Sequence, residues 1–374
     1  MRLAALLCLL VALAATRPAA ADDFYREDVR IAMPAAGPAG LEALLIRPSR
    51  PQRYPLALIS HGAPRDAQAL RETTPYGFYR QAIEFARRGF AALVVMRRGY
   101  GGSGGSYAEG HSCCELRTYL AAAKDGADDL RAAIAAMRMR NDVTTQGMIA
   151  VGVSSGGLAS IALTLDPPQG LAAVISFAGG LARANRLPQD ARSAGDEAGL
   201  IEAFRTLGAG SRTPMLWVYA ANDGYFRPDL AHRLLATFTA AGGRARLIDA
   251  PAFGSDGHEL FSAGIAMWPP MVDEFLHQQN LATRDLLPPP TLPALAAPPR
   301  LTDKGRAAFV DYLTAGPHKA FAASSSGAFG YWSGTRSAET AKDQALSGCR
   351  ANAPDCRIYA IDNALAGTQA TDNR

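Results

Sequence analysis

The sequence predicts an α/β architecture, with a mainly parallel sheet covered by helices on both faces, followed by a small C-terminal α+β domain. Two observations carry this prediction. From residue 22 to about residue 280, short apolar stretches alternate with amphipathic helical stretches, which is typical of parallel sheets. The composition then changes abruptly to a proline-rich stretch, which is typical of a linker. We therefore expect an α/β domain over residues 22–280, a linker over 281–300 and a small domain over 301–374.

The strands of the α/β domain are predicted from short, continuous apolar runs. They lie at residues 29–33, 41–46, 56–59, 90–96, 148–153, 171–177, 215–219 and 245–248. Apolar positions three and four apart predict a helix over residues 78–88, closed by Gly89, and another over 125–139. An open α/β sheet places its chemistry in the loops at the carboxyl ends of such strands.

The small domain is predicted to have strands at 319–323 and 356–361, a helix at 337–346, and a glycine and aromatic stretch at 329–332. Its length is near the size at which a disulfide helps a domain to fold. No chemical motif stands out in it. Its aromatic residues fit either a small core or a surface that binds a partner of unknown identity.

The first 21 residues have the pattern of a secretory signal peptide. Arg2 precedes an apolar run over residues 3–15, and Ala19-Ala20-Ala21 follows it. The alternative, a membrane anchor, needs about twenty apolar residues, and this run is shorter. We expect cleavage after Ala21 and export to the periplasm or outside the cell, with no integral membrane segment in the mature chain.

The charge balance excludes some classes of partner. The chain has 38 Lys and Arg against 34 Asp and Glu, a formal net charge of +4, which loss of Arg2 and Arg17 with the signal peptide lowers to +2. Such a small excess gives no electrostatic basis for binding nucleic acid or anionic membranes. With 48% hydrophobic and 19% charged residues, the composition also excludes a disordered or fibrous protein.

Four of the five cysteines lie after the signal peptide, an even number in a chain expected in an oxidising compartment. Cys349 and Cys356 flank a short polar loop, where a local disulfide would join a helix end to the next strand. Cys113 and Cys114 are adjacent, and the sequence leaves open whether they pair with each other or elsewhere. A metal site of these two with His111 lacks a second ligand pair at zinc-like spacing, so we expect no metal and no cofactor.

The strand at 148–153 ends in the sequence Gly-Val-Ser-Ser-Gly, which continues into a helical stretch. A serine that passes from a buried strand into a helix within one turn has a strained backbone, and small residues two positions to either side relieve the crowding. Gly152 and Gly156 hold those positions around Ser154, whereas Ser155 has Val153 two residues before it. The pattern alone also fits an ordinary turn serine. In the context of the rest of the chain, we predict Ser154 as a nucleophile.

A serine hydroxyl needs a base to take its proton and a carboxylate to orient that base. Asp223 follows the strand at 215–219, and His258 lies in a glycine-rich loop after the strand at 245–248. Serine, aspartate and histidine in this order at successive strand ends predict a catalytic triad of Ser154, Asp223 and His258. Asp249 and Asp256 are the alternative acids.

Acyl transfer also needs N–H groups that stabilise an oxyanion. We assign them to Ser155, which follows the nucleophile, and to Ala63 in the loop after the third strand, because the next residue, Pro64, has no N–H. His61 in the same loop is a second candidate base, although shaping the loop through hydrogen bonds is the more frequent role.

The sequence offers thinner evidence on the substrate. Arg97 and Arg98 end the fourth strand, where a guanidinium, Arg98 in particular, could bind a substrate carboxylate; a structural ion pair explains them equally well. Residues 178–214 are too few for a large lid and enough for one or two helices over the pocket. A small soluble ester is therefore favoured over a long-chain lipid.

Together these stretches resemble the α/β-hydrolase superfamily over about residues 60–275, and within it the dienelactone hydrolase-like exported esterases of bacteria. The resemblance rests on residues 61–62, 97–105, 152–157, 222–223 and 256–261. It implies an eight-stranded sheet and hydrolysis of esters or lactones through an acyl-enzyme. Dienelactone hydrolases proper use a cysteine nucleophile, and the matching position here is Ser154, so we expect a serine esterase. The C-terminal part resembles a small cysteine-containing module appended to some bacterial exported proteins.

The leading hypothesis is thus an exported serine hydrolase acting on small carboxylic esters or lactones, and two other functions stay open. A peptidase of the prolyl-oligopeptidase type uses the same triad order, although such enzymes usually carry a propeller or gating domain, and the sequence has no blade repeats. A binding protein that uses the fold as a scaffold would be expected to lose Ser154, Asp223 or His258, and all three are present.

Overall fold

The structure, a computed structural model, describes residues 23–64, 66–107, 109, 116–182, 194–281 and 286–367. The predicted signal peptide and the predictions on His111, Cys113 and Cys114 lie outside the described residues. Within the described ranges the chain forms a large, mostly parallel sheet of eight strands and a separate antiparallel sheet of four. The predicted fold class is confirmed.

The large sheet has the strand order β1-β2-β4-β3-β5-β6-β7-β8. Its strands are β1 (Phe24–Ile31), β2 (Leu41–Pro48), β3 (Tyr54–Ser60), β4 (Ala91–Val95), β5 (Val143–Val153), β6 (Leu171–Phe177), β7 (Met215–Ala220) and β8 (Ala245–Ala250). β2 is antiparallel to both β1 and β4, and every pair from β4 to β8 is parallel. The carboxyl ends of the parallel strands therefore lie along one edge, where ligands bind in open α/β sheets.

Helices cover both faces of this sheet. They are α1 (Ala67–Glu72), α2 (Tyr79–Arg87), α3 (Leu116–Arg138), α4 (Ser155–Ala162), α5 (Ala194–Gly210), α6 (Pro228–Ala240), α7 (Leu260–Ala263) and α8 (Pro269–Gln278). Side chains alternate between two apolar layers along the central strands: Leu93 belongs to the layer that includes α3 to α6, and its neighbour Val94 belongs to the layer that includes α2, α7 and α8. None of the helices in the described ranges is long and apolar enough to cross a membrane.

Several elements differ from the sequence prediction in length. β5 begins at Val143 because Tyr54 and Pro55 of β3 pair with Val143 and Thr144, ahead of a register shift. α3 begins at Leu116, nine residues before the predicted start at residue 125. The segment after β6 contributes one described helix, α5, and residues 183–193 lie outside the described ranges.

The small domain is a four-stranded antiparallel sheet with one helix on each face. Its strands are β9 (Ala320–Ala323), β10 (Phe329–Trp332), β11 (Arg357–Ile361) and β12 (Ala364–Leu365), in the order β10-β9-β11-β12, and its helices are α9 (Asp303–Thr314) and α10 (Ala338–Arg350). Phe321 packs with α9, whereas Ala320 and Ala322 face α10. The small side chains let α10 lie close to the sheet: a Cβ on Gly330 would lie 2.0 Å from the carbonyl oxygen of Ala345. The sequence prediction missed α9.

The predicted disulfide is confirmed. Cys349 near the end of α10 is bonded to Cys356 just before β11, with their Cα atoms 6.0 Å apart. Both cysteines belong to the apolar cluster between α10 and the sheet. The bridge closes the loop that the sequence predicted between a helix end and the next strand.

Residues 286–298 form neither helix nor strand and contact both domains. The N–H of Leu287 donates to the carbonyl of Arg87 at 3.0 Å, and Nε of Arg87 donates back to the carbonyl of Leu287 at 2.8 Å. Further along, the hydroxyl of Tyr359 donates to the carbonyl of Ala296 at 2.9 Å. The proline-rich segment is thus held along the surface by hydrogen bonds at both ends.

Candidate active site

Ser154 lies in the turn between β5 and α4, with φ 54° and ψ −124°. A positive φ is strained for a residue with a side chain and is typical of serine nucleophiles at such a turn. The close approach of neighbouring backbone at this turn requires glycine at positions 152 and 156. A Cβ on Gly152 would lie 2.2 Å from the carbonyl oxygen of Gly156, and a Cβ on Gly156 would lie 2.3 Å from that of His61. The spacing that singled out Ser154 in the sequence therefore has the expected structural cause.

Backbone hydrogen bonds from two neighbouring segments maintain this strained turn. The N–H of Ser154 donates to the carbonyl of Phe177 at the end of β6 at 2.9 Å. The carbonyl of Ser154 accepts from Leu158 in α4 at 3.0 Å and from Gly180 at 3.1 Å. Ser155 is the first residue of α4, so its N–H has no acceptor within the helix and remains a candidate oxyanion donor.

The loop after β3 approaches the nucleophile directly. A Cβ on Gly62 would lie 3.1 Å from Cβ and 3.8 Å from Oγ of Ser154. A side chain at this position would crowd Ser154, and Ala63, the predicted second oxyanion donor, is the next residue. The structure thus brings together the two segments that were predicted to supply N–H groups.

His61 shapes this loop through both ring nitrogens. Its Nε2 accepts from the N–H of Arg97 at 3.0 Å, so Nδ1 carries the proton and donates to the carbonyl of Gly62 at 2.8 Å. Burial, followed by the nearby Arg97 guanidinium, holds the pKa of His61 well below 6.5. The ring therefore stays neutral and has no free nitrogen with which to act as a second base.

Arg97 lies fully buried beneath the nucleophile turn and connects its parts. Its Nη1 donates to Oγ of Ser60 at 2.7 Å and to the carbonyl of His61, and its Nη2 donates to Oγ of Ser155 at 2.9 Å. One guanidinium thus contacts the loop after β3 and the residue after the nucleophile. The contact also occupies the Ser155 hydroxyl, which argues against Ser155 as the nucleophile.

Glu109 balances the buried charge of Arg97. Its Oε1 accepts from Nε of Arg97 at 3.1 Å and also from Nη2, and its Oε2 accepts from the hydroxyl of Tyr100 at 2.6 Å. Burial raises the pKa of Tyr100, which keeps its hydroxyl protonated as a donor. A charge without solvent access needs such a partner. The sequence reasoning missed Glu109, because loop residues carry no periodicity that would link it to Arg97.

Asp223 is held by the turn that follows β7. Its Oδ1 accepts from the N–H groups of Tyr225 at 2.7 Å and Phe226 at 2.8 Å, and its side chain is completely buried. Its Oδ2 lies 3.1 Å from Nδ1 of His258. Nδ1 therefore donates to the carboxylate, and in the neutral ring Nε2 is then the nitrogen that can accept a proton. The structure pairs the two residues as the sequence predicted.

A second carboxylate, Asp256, joins the two turns that carry this pair. Its Oδ1 accepts from the N–H of Gly224 at 2.9 Å and from the N–H of His258 at 3.0 Å. Asn222 adds to the connection: its Oδ1 accepts from the N–H of Phe253 at 2.8 Å, and its own carbonyl accepts from the N–H of Gly257. Asp256 thus positions His258 by accepting a hydrogen bond from the backbone N–H of His258, and it does not contact the imidazole ring.

Asp249, an alternative acid, and Arg98, the predicted substrate contact, both have partners outside this pair. Asp249 contacts Nε2 of His232 at 3.1 Å on the exposed surface and so points to another histidine. Arg98, the predicted substrate contact, uses Nε on Oδ1 of Asp129 at 2.7 Å and Nη2 on the carbonyl of Asp125 at 2.9 Å. Its backbone N–H also donates to Asp129, a residue with no solvent exposure. The contacts of Arg98 favour the structural ion pair over the substrate contact.

Within the described residues, no hydrogen bond joins Oγ of Ser154 to the ring of His258, and no group of three or more His, Cys, Asp or Glu is arranged to hold a metal ion. Catalytic hydrogen bonds are commonly long in enzymes without substrate and tighten when substrate binds. The site therefore comprises a strained serine, a partly exposed histidine paired with a buried aspartate, and a loop backbone packed against the serine.

Comparison with known proteins bears on the first half of this site. Residues 37–195 match the family model for X-Pro dipeptidyl-peptidase (S15 family). The matched range includes Ala63 and Ser154 and ends before Asp223 and His258. No curated protein matches the chain.

Among solved structures, the acylaminoacyl peptidase of Pyrococcus horikoshii is similar over 70% of this chain at 15% identity, with a TM-score of 0.48. The match covers 42% of that enzyme, so this chain spans less than half its length. Esterase 2 of Thermogutta terrifontis matches at 17% identity and a TM-score of 0.48, over 70% of this chain and 97% of that one. An esterase of Pyrococcus furiosus matches at 16% identity and a TM-score of 0.45, over 68% and 90%.

The strand order of the large sheet is that of the α/β-hydrolase fold. The family match covers residues 37–195, which is less than half of the chain. The chain has the α/β-hydrolase fold.

Proposed function

We propose that this protein is an exported serine hydrolase that cleaves small carboxylic esters or lactones. The observation that carries the proposal is the 3.1 Å contact between Nδ1 of the partly exposed His258 and the buried Asp223, on the sheet edge where Ser154 adopts its strained turn. The backbone at Gly62, packed against Ser154, supports an oxyanion site on the same edge.

The proposed reaction has two stages. Nε2 of His258 takes the proton from Oγ of Ser154 as the oxygen attacks the ester carbonyl, and Asp223 stabilises the resulting imidazolium. The N–H groups of Ser155 and Ala63 stabilise the oxyanion of the tetrahedral intermediate. The intermediate then collapses to an acyl-enzyme, with His258 protonating the departing alcohol, and water activated by His258 releases the acid and restores the serine.

A fluorophosphonate probe tests the nucleophile. The wild-type protein is expected to be labelled, and Ser154→Ala is expected to lose both labelling and hydrolysis of p-nitrophenyl acetate. Ser155→Ala is the matched control and should still be labelled, because Arg97 holds the Ser155 hydroxyl. Labelling that persists in Ser154→Ala would refute the assignment.

A peptidase is the second candidate, because the matching family model describes an X-Pro dipeptidyl-peptidase. Peptidases and esterases can share the same triad, so the two differ in which leaving group the pocket accepts. Parallel assays with p-nitrophenyl acetate and with dipeptidyl p-nitroanilides that carry proline in the second position separate them. Preferential hydrolysis of the p-nitroanilides would replace the esterase proposal.

Export is part of the proposal and rests on the N-terminal pattern over residues 1–21. The disulfide between Cys349 and Cys356 supports it, because such bonds persist in oxidising compartments. N-terminal sequencing of the protein recovered from the periplasm or medium of a bacterial host should begin at Asp22. A full-length protein that stays in the cytoplasm would contradict export.

A further inference from the structure

The residues of the candidate site all lie in the large domain, and the small domain contacts that domain through side chains and backbone. We propose that the small domain positions the oxyanion side of the active site, and that Arg336 is the positioning residue. This inference rests on the proposed hydrolase function. It concerns a residue outside the triad, on a domain for which the sequence offered no chemical role.

Arg336 lies in the loop between β10 and α10 and reaches across to the large domain. Its Nε donates to Oε1 of Glu42 at 2.8 Å, and its Nη2 donates to Oε2 of Glu42 at 2.7 Å, which makes a bidentate pair. Nη2 also donates to the carbonyl of Thr73 at 2.7 Å. The Glu42 side chain is only 11% exposed, so this contact belongs to the body of the large domain.

Glu42 in turn fixes a segment that we call the glycine loop, residues 99–104. Oε2 of Glu42 accepts from the N–H of Gly102 at 2.8 Å, and the N–H of Glu42 donates to Oγ of Ser103 at 2.8 Å. A Cβ on Gly101 would lie 2.2 Å from the carbonyl oxygen of Thr73 and 2.4 Å from Nη2 of Arg336. Arg336 therefore packs directly on the backbone of the glycine loop.

The glycine loop leads directly to the buried arginine beneath the nucleophile. The N–H of Tyr100 donates to the carbonyl of Arg97 at 3.1 Å, and the hydroxyl of Tyr100 donates to Glu109, the partner of Arg97. Arg97 contacts both the His61 carbonyl and the Ser155 hydroxyl. A shift of the glycine loop would thus reach the two segments that supply the oxyanion N–H groups.

A second contact between the domains lies next to the first, because Thr74 follows Thr73, which Arg336 contacts. Oγ1 of Thr74 donates to the carbonyl of Gly334 at 2.6 Å, and a Cβ on Gly316 would lie 2.5 Å from the ring of Tyr79. Thr74 follows α1, which itself follows the loop that contains Ala63. The small domain therefore contacts the large domain at the glycine loop and at the segment that follows α1.

The test uses the full mature chain with Arg336→Ala, Arg336→Lys and Glu42→Gln. Lys342→Ala is the control, because Lys342 is a cation of the same domain that pairs within its own helix, with Glu339. For each variant we measure kcat and KM for p-nitrophenyl acetate, the rate of fluorophosphonate labelling, and the fraction of active sites by titration. Titration removes the effect of unfolded molecules, so kcat refers to folded enzyme.

Arg336→Ala is expected to lower kcat and the labelling rate about tenfold, with KM within about twofold, because small misplacements of donors lower rates strongly. Arg336→Lys should recover part of the lost kcat, since a lysine keeps the positive charge but cannot make the bidentate hydrogen bonds to Glu42. Arg336→Ala should lower kcat less in a Glu42→Gln background than in the wild-type background, because the two substitutions remove the same contact. Lys342→Ala should match wild type.

Two results distinguish failure of this inference from failure of the proposed function. If wild type is labelled and active, and kcat per active site in Arg336→Ala is unchanged, the positioning role is wrong, whatever happens to the melting temperature. If wild type is neither labelled nor active, the proposed function itself fails.

Discussion

The two domains of this protein are stabilised in different ways. The large domain buries two continuous apolar layers and, beneath its site, the charged pair of Arg97 and Glu109. The small domain has two small clusters, a disulfide between Cys349 and Cys356, and ion-pair and hydrogen-bond contacts to its neighbour. A domain of this size buries too little apolar surface to fold without such support, whereas the large domain can bear the cost of a buried charge. Three predictions test this difference, in order of expected effect.

The largest effect is expected from Arg97→Met in the large domain. Removing the arginine leaves Glu109 buried without its partner, and breaking a buried pair on one side costs about 3–5 kcal/mol of unfolding free energy. Urea denaturation measures the loss. Arg205→Ala, which removes an exposed arginine paired within its own helix, should show no measurable change. A loss for Arg97→Met no greater than for this control would mean that the network beneath the site contributes little.

An intermediate effect is expected from replacing both Cys349 and Cys356 by alanine. Opening this short loop should cost about 2 kcal/mol, and the loss should fall on the small domain. Trp332 lies on β10, so its fluorescence in a Trp217→Phe, Trp268→Phe background reports on that domain. The unfolding midpoint of the small domain in urea, measured by Trp332 fluorescence, should fall below that of the large domain. Far-ultraviolet circular dichroism follows the unfolding of the large domain. Dithiothreitol applied to the same background with both cysteines present should reproduce the shift, and a single joint transition would contradict the separation.

The smallest effect is a pH dependence that belongs to His61. Its pKa in the folded protein lies well below 6.5, so below pH 6.5 the unfolded chain binds a proton that the folded protein does not. Unfolding is therefore favoured as the pH falls below 6.5, by at most about 1.4 kcal/mol per pH unit, and above 6.5 this contribution is fully present as stability. Urea denaturation from pH 7.5 to 5 should show a shallower loss in His61→Gln than in wild type. Equal slopes would remove His61 as the cause.

Much of the architecture could be read from local pattern. The central strands β3, β4, β6 and β7 were found as short apolar runs, because strands buried on both faces carry few polar positions to interrupt them. The edge strand β1 was predicted at residues 29–33 and lies at Phe24–Ile31, because exposed polar residues interrupt its apolar pattern. Ser154 was found because its strained turn requires glycine at two fixed positions, and such a requirement is visible in sequence. The helix α9 and the first part of α3 were missed, although their buried residues, Phe309 and Tyr312 in α9 and Tyr119, Ala122 and Ala123 in α3, follow helical spacing.

The supporting residues of the site could not be read in this way. Glu109 meets Arg97, and Asp256 meets Gly224 and His258, only because separate loops end at the same place. The sequence left Arg98 open between a substrate contact and an ion pair, and the position of Asp129 on α3 favours the ion pair. The role of Arg336 could not be predicted from the sequence, because its partner Glu42 is 294 residues away in the chain.

The sequence by itself determined the fold class, the order of the candidate triad and the local disulfide, because each depends on neighbouring residues or on the order of strands. Tertiary structure decided which carboxylate faces His258, which arginine lies beneath the nucleophile, and how the small domain meets the large one. The physical reason is that burial and charge pairing depend on distances between segments far apart in the chain, and these distances are set only when the sheet, its loops and the second domain have packed together.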